Sequence, residues 1–140
     1  FEIEEKNLTN PKEAAEYVKE TGVDCLAVSI GNFHGVSMGG DPDLDLEKLK
    51  EIKKVIKDSF LVLHGGSGTP EKDIKKAIKL GIVKININTE LRLIYTNTLK
   101  KSLEENPKEI TPYKYLPETV KAVKKVVEGK IGLFNSKNRV

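Results

Sequence analysis

The sequence contains one cysteine in 140 residues, Cys25, so it can form no internal disulfide and build no zinc site from thiolates. A cytoplasmic setting follows as the expectation. No apolar run approaches the roughly 18 residues that a membrane-spanning helix needs, and no charged-then-apolar signal segment opens the chain. No membrane partner is therefore expected. Charge of one sign is missing too, since 24 Lys and Arg against 21 Asp and Glu leave a net +3, with lysines and acids interleaved as from Lys48 to Lys57. A nucleic-acid surface would show a one-signed stripe with aromatics or Arg clusters, and only 6% of the residues are aromatic. An initiating Met is also absent. The chain begins at Phe1, as expected of a processed terminus or a piece of something longer.

What is present is 38% hydrophobic residues falling in periodic blocks, the composition of a chain that folds. A helix, Gly, strand, polar-loop cadence repeats three times. Asn10 and Pro11 read as N-cap and first helical residue, and Ala14, Ala15 and Val18 make the apolar stripe before Thr21 and Gly22. Residues 24–30 form a near-continuous apolar run, the mark of a strand covered on both faces. From Asp45 to Ile56 the spacing of Leu46, Leu49, Ile52, Val55 and Ile56 predicts an amphipathic helix. Residues 60–63 form a second strand running into His64-Gly65-Gly66-Ser67-Gly68, after which Thr69 and Pro70 cap a helix with the stripe Ile74, Ala77 and Ile78. Residues 82–88 form a third strand, and Thr89 caps a helix carrying Leu91, Ile94 and Leu99. Asn106 to Pro117 reads as a loop, before a terminal helical stripe that needs a partner surface. Alternating β and α units give a parallel sheet, closed as a barrel or open, and three strands complete neither.

The chemistry gathers where the strands end. Gly31 to Gly35, His64 to Gly68 and Asn86 to Thr89 all follow the carboxyl ends of parallel strands, the face on which α/β folds bind ligands. The only two histidines, His34 and His64, both fall there, and two imidazoles on one rim are the beginning of a zinc site. A catalytic zinc takes three protein ligands. The third is a carboxylate such as Asp41 or Asp43, or it lies outside these residues; Cys25 starts its strand at the opposite end. His64 to Gly68 followed by a helix start outlines a phosphate cradle, with backbone N–H groups approaching an anion and the Ser67 hydroxyl beside them. Asn86 to Thr89 add donors on the neighbouring strand end.

These motifs, Thr21-Gly22-Val23-Asp24-Cys25-Leu26-Ala27 through His34-Gly35, Leu61 to Gly68, and Lys84-Ile85-Asn86-Ile87-Asn88-Thr89-Glu90, resemble the zinc-dependent class II fructose-bisphosphate and tagatose-bisphosphate aldolases, from the first helix to Leu133-Phe134-Asn135-Ser136. The resemblance implies a (β/α)8 TIM barrel of which residues 1–140 are the C-terminal part, with β/α units over 1–105 and a loop and terminal helix over 106–140. It implies that His34 and His64 are two of three zinc ligands. Gly35, Gly65, Gly66, Ser67, Asn86, Ile87, Asn88 and Thr89 match residues that hold dihydroxyacetone phosphate. The family's Asp-His pair, acid/base and remaining ligand, has no counterpart here, and Glu2, Glu4 and Glu5 align too weakly with its acidic loop to be assigned. The implied reaction is reversible cleavage of fructose 1,6-bisphosphate to dihydroxyacetone phosphate and glyceraldehyde 3-phosphate, in glycolysis and gluconeogenesis, through a zinc-stabilised enediolate. The implied cofactor is one zinc per site, with room for a monovalent cation, and the implied assembly a homodimer or homotetramer. By this reading the segment alone is inactive and exposes apolar strand edges.

Two alternatives stand beside this one. Tagatose bisphosphate differs from fructose bisphosphate at one stereocentre that the motifs do not read. A non-catalytic domain binding a phosphate ester would also show only two metal-type ligands and no proton-transfer residue.

Overall fold

The computed structural model describes residues 7–32 and 43–139. Among the described residues, helices and strands alternate through α4 as the periodicity predicts, and two further helices follow: α1 Pro11–Thr21, β1 Cys25–Val28, α2 Leu46–Val55, β2 Phe60–Leu63, α3 Glu71–Lys79, β3 Ile82–Ile85, α4 Thr89–Glu105, α5 Pro112–Tyr115 and α6 Pro117–Leu133. The chain divides into two compact units, Phe1–Ile87 and Asn88–Val140.

In the first unit the helix starts follow from local chemistry. The Asn10 Oδ1 accepts from the N–H groups of Lys12 (2.9 Å) and Glu13 (3.4 Å), and Pro11 supplies a first helical residue that needs no N–H partner. Asp45 does the same for α2, accepting from Lys48 N at 2.8 Å. Two expected caps differ. Pro70, not Thr69, holds the N-cap position of α3, where a ring nitrogen cannot donate, and the Thr69 hydroxyl turns back to Gly65 O at 3.4 Å. Asn88, not Thr89, precedes α4, with no side-chain cap bond.

The three strands form a parallel sheet in the order β1-β2-β3. Cys25 pairs with Phe60 and Val28 with Leu63; Leu61 pairs with Ile82 and Leu63 with Ile85. Between them the register slips by one, so that Lys84 rather than Val83 lies beside Val62. Side chains alternate along a strand, so pairing sorts the sheet into two faces. One carries Leu26, Val28, Leu61, Leu63, Ile82 and Ile85. It is closed in the centre, with Leu61 and Leu63 at 0% exposure, and joins Ala14, Leu49, Ile52, Ile56, Ile74 and Ala77 of the helices in the core. The other carries Cys25, Ala27, Phe60, Val62 and Lys84, of which only Val62 is buried; Phe60 is 60% exposed. The expectation that β1 is covered on both faces is therefore corrected, because nothing among the described residues covers Cys25 and Ala27.

The second unit is helical. α4 and α6 pack together, and Lys130 of α6 meets Glu90 of α4 at 2.7 Å. The predicted loop between them contains α5, one helical turn started by Pro112 and tied to α4 through Ser102 Oγ donating to Tyr115 O at 2.9 Å. α6 runs unbroken through Gly129 and Gly132. Among the described residues no helix is long and apolar enough to cross a membrane.

Candidate active site

β2 is the central strand, and it delivers His64 one residue past its carboxyl end, half-buried. By alternation the imidazole falls on the open face, above Val62. Asn86, just past β3, falls beside it: the Asn86 amide Nδ2 donates to the His64 Nε2 at 3.0 Å, with Nδ1 3.4 Å away. The nitrogen that accepts this bond spends its in-plane lone pair on it, so a metal bound at that nitrogen would displace the Asn86 amide. The backbone holds the pair in place. Asn86 N donates to Leu63 O (2.9 Å) and Gly66 N to Asn86 O (3.2 Å), extending the β2–β3 ladder into the loop.

The turn after His64 needs its glycines. Gly65 has φ +63°, a conformation that side chains disfavour. Gly66 lies so close to β3 that a Cβ would sit 2.6 Å from Ile85 Cγ2 and 3.0 Å from Ile87 Cδ1. With Gly66 and Ser67 both buried, the backbone passes against the third strand's end as a phosphate cradle would require.

The structure thus brings together His64, Gly65, Gly66, Ser67, Asn86 and Ile87 in the first unit. Asn88 and Thr89 begin the second, as the N-cap and first residue of α4. His34, Gly35 and Asp41 lie outside the described residues. Asp43, considered above as a metal ligand, points at Lys72 instead, with Asp43 Oδ1 3.2 Å from Nζ. The Lys72 ammonium holds the Asp43 carboxyl below the usual carboxylate range, and the carboxylate in turn raises the lysine. Cys25 is exposed at the sheet's amino end, away from His64.

As a test of zinc, the donor chemistry of His64 fits one position of a site. Among the described residues no group of three or more His, Cys, Asp or Glu comes together to complete it. The sequence marks Asn32 only as part of the polar run from Gly31 to Gly35, with no role of its own. Asn32 accepts from Ile30 N through Oδ1 (2.8 Å) and donates through Nδ2 to His64 O (3.1 Å), a contact across 32 positions.

A sequence model of the family described as fructose-bisphosphate aldolase class-II matches residues 2–139. The chain belongs to the class II fructose-bisphosphate aldolase family. It is 42% identical to a fructose-bisphosphate aldolase of Thermus caldophilus, over 98% of this chain and 52% of that protein. It is 43% identical to a probable fructose-bisphosphate aldolase of Bacillus subtilis (strain 168), over 93% of this chain and 45% of that one. Among solved structures, the YdjI aldolase of Escherichia coli K12 superposes with a TM-score of 0.77 at 40% identity, covering 94% of this chain and 46% of its own. A fructose-bisphosphate aldolase of Campylobacter jejuni gives 0.76 at 27% identity, covering 93% and 46%. The chain spans about half the length of the curated relatives it matches.

Proposed function

We propose that this chain is the C-terminal part of a class II aldolase barrel and carries half of its active rim, in a cytoplasmic enzyme that cleaves fructose 1,6-bisphosphate reversibly into two triose phosphates. The observation that carries the reading is the meeting of His64, Asn86 and the buried Gly66-Ser67 backbone at adjacent strand ends, in a chain of this family. The open face of the sheet supports the barrel, since Cys25, Ala27, Phe60 and Lys84 stand where a closed (β/α)8 barrel keeps its interior.

In this reading His64 and His34 supply two zinc ligands. Zinc, when bound, polarises the carbonyl oxygen beside the bond that breaks. The rest is done by the chain. The loop from Gly65 to Ser67 would approach the phosphate of dihydroxyacetone phosphate through backbone N–H groups other than that of Gly66, which donates to Asn86 O. By the resemblance, Gly35, Asn88 and Thr89 also match phosphate-holding residues. Binding at the phosphate, remote from the bond that breaks, holds the reacting carbons in line. Asn86 orients the His64 imidazole and offers an amide N–H to developing oxygen charge. By the same resemblance, residues 1–105 form the β/α units and 106–140 the loop and terminal helix of one domain, assembled as a homodimer or homotetramer.

The test is cleavage of fructose 1,6-bisphosphate by the intact protein carrying this chain, beside its His64→Ala variant, with zinc content measured on both. Wild type is expected to be active with one zinc per site, and the variant to lose both. A variant that retained zinc and activity would remove His64 from the site.

A further inference from the structure

We propose that Asn32 is a positioning residue for His64, resting on the reading of His64 as a ligand given above. The β1–β2 ladder ends at the pair Val28 and Leu63. Beyond it the Asn32 side chain joins the strands' ends. The Asn32 Oδ1 accepts from Ile30 N at 2.8 Å, and its Nδ2 donates to His64 O at 3.1 Å. Because one neighbour can only donate and the other can only accept, the amide has a single orientation that satisfies both.

Each end of this strap is itself fixed. Ile30 is fully buried, and its carbonyl accepts from Asp45 N at 2.8 Å, so both of its backbone groups are paired. On the far side His64 is held twice: Asn32 grips its peptide carbonyl from the β1 side, and Asn86 grips its ring from the β3 side. The carbonyl bond sets the rotation of the His64 peptide, which sets the direction of the Cα–Cβ bond and so of the imidazole. Partners that bond a ligating side chain directly are worth about 10- to 100-fold in metal affinity, and the Asn32 bond acts on the same ligand through its backbone.

The experiment uses the intact protein, with zinc affinity measured by competition with a chelator. Asn32→Ser keeps a hydroxyl that can accept from Ile30 N but cannot span to His64, whereas Asn32→Ala loses both bonds. Both variants are expected to weaken zinc by about 10- to 100-fold, with Asn32→Ala alone losing appreciable thermal stability. Zinc affinity in Asn32→Ser within about threefold of wild type, while His64→Ala abolishes binding, would overturn the proposal. If His64→Ala left zinc affinity unchanged, the ligand reading would fall instead. The strap is then judged by the 13C resonance of the His64 carbonyl, which must move in both Asn32 variants; an unmoved resonance overturns it.

Discussion

The two faces of one small sheet behave differently. On one, Val28, Leu61, Leu63 and Ile82 are buried with the inward residues of α1 to α3, a finished core made by this chain alone. On the other, Cys25, Ala27, Phe60 and Lys84 are exposed around a single buried Val62, and the same face rises at its carboxyl end into His64 and Asn86. The candidate site therefore stands at the top of the unfinished face. This contrast supports the proposed barrel, in which the open face would be the inner side and the finished, helix-covered face the outer one.

Substitutions on the two faces sharpen this contrast. Leu63→Ala, on the finished face, should destabilise the protein by about 2–5 kcal/mol in denaturant unfolding, through lost burial and the cavity left behind. Phe60→Ala tests the other face. In the intact protein it should cost about 3 kcal/mol, as for a buried phenylalanine, and a loss below about 0.5 kcal/mol would mean that Phe60 faces solvent there too. At the rim, Gly66→Ala forces Ile85 and Ile87 aside and should cost about 1–3 kcal/mol, with a raised KM for fructose 1,6-bisphosphate; an unchanged KM would detach the cradle from the substrate.

Smaller effects come from the edges. Asn10→Ala removes the α1 cap and should cost about 1 kcal/mol without altering KM. Smallest is Asp43→Asn, because the pair with Lys72 is solvent-exposed. Lys72 depresses the Asp43 carboxyl, so the pair's contribution is present above the carboxylate's unfolded pKa and is lost on acidification. Thermal midpoints of variant and wild type should coincide in acid and differ barely, with the variant lower, near neutrality. A gap that widened as the pH fell would contradict the pairing.

Much of this was legible in the sequence, and the failures have physical causes. Asn10 with Pro11, the stripe of α2 and the Gly-rich run after β2 are local signals, and the structure has α1, α2 and the turn at those places. The apolar run of β1 implies cover on both faces, but a run of residues does not say which chain supplies the cover. α5 is too short to show a period and sits among prolines. The slip at Val83 depends on pairing between strands and leaves no local pattern; Asn32 lies in a polar run that the sequence marks, but its partner His64 is 32 positions away. Of the rim, His64, Gly66 and Asn86 could be named because three strand endings poorly suited to a core fall on one rim and match the family's motifs. Their mutual contact could not.

The lone cysteine gives the most direct test of the open face. Cys25 is exposed at the foot of that face, paired with Phe60. In the intact protein, under native conditions, labelling by a thiol reagent followed by peptide mass spectrometry should find Cys25 protected, reacting only after denaturation. Labelling of Cys25 in the native protein at the rate of an unhindered thiol would contradict the account, because the face would then be an outer surface and not the interior of a barrel.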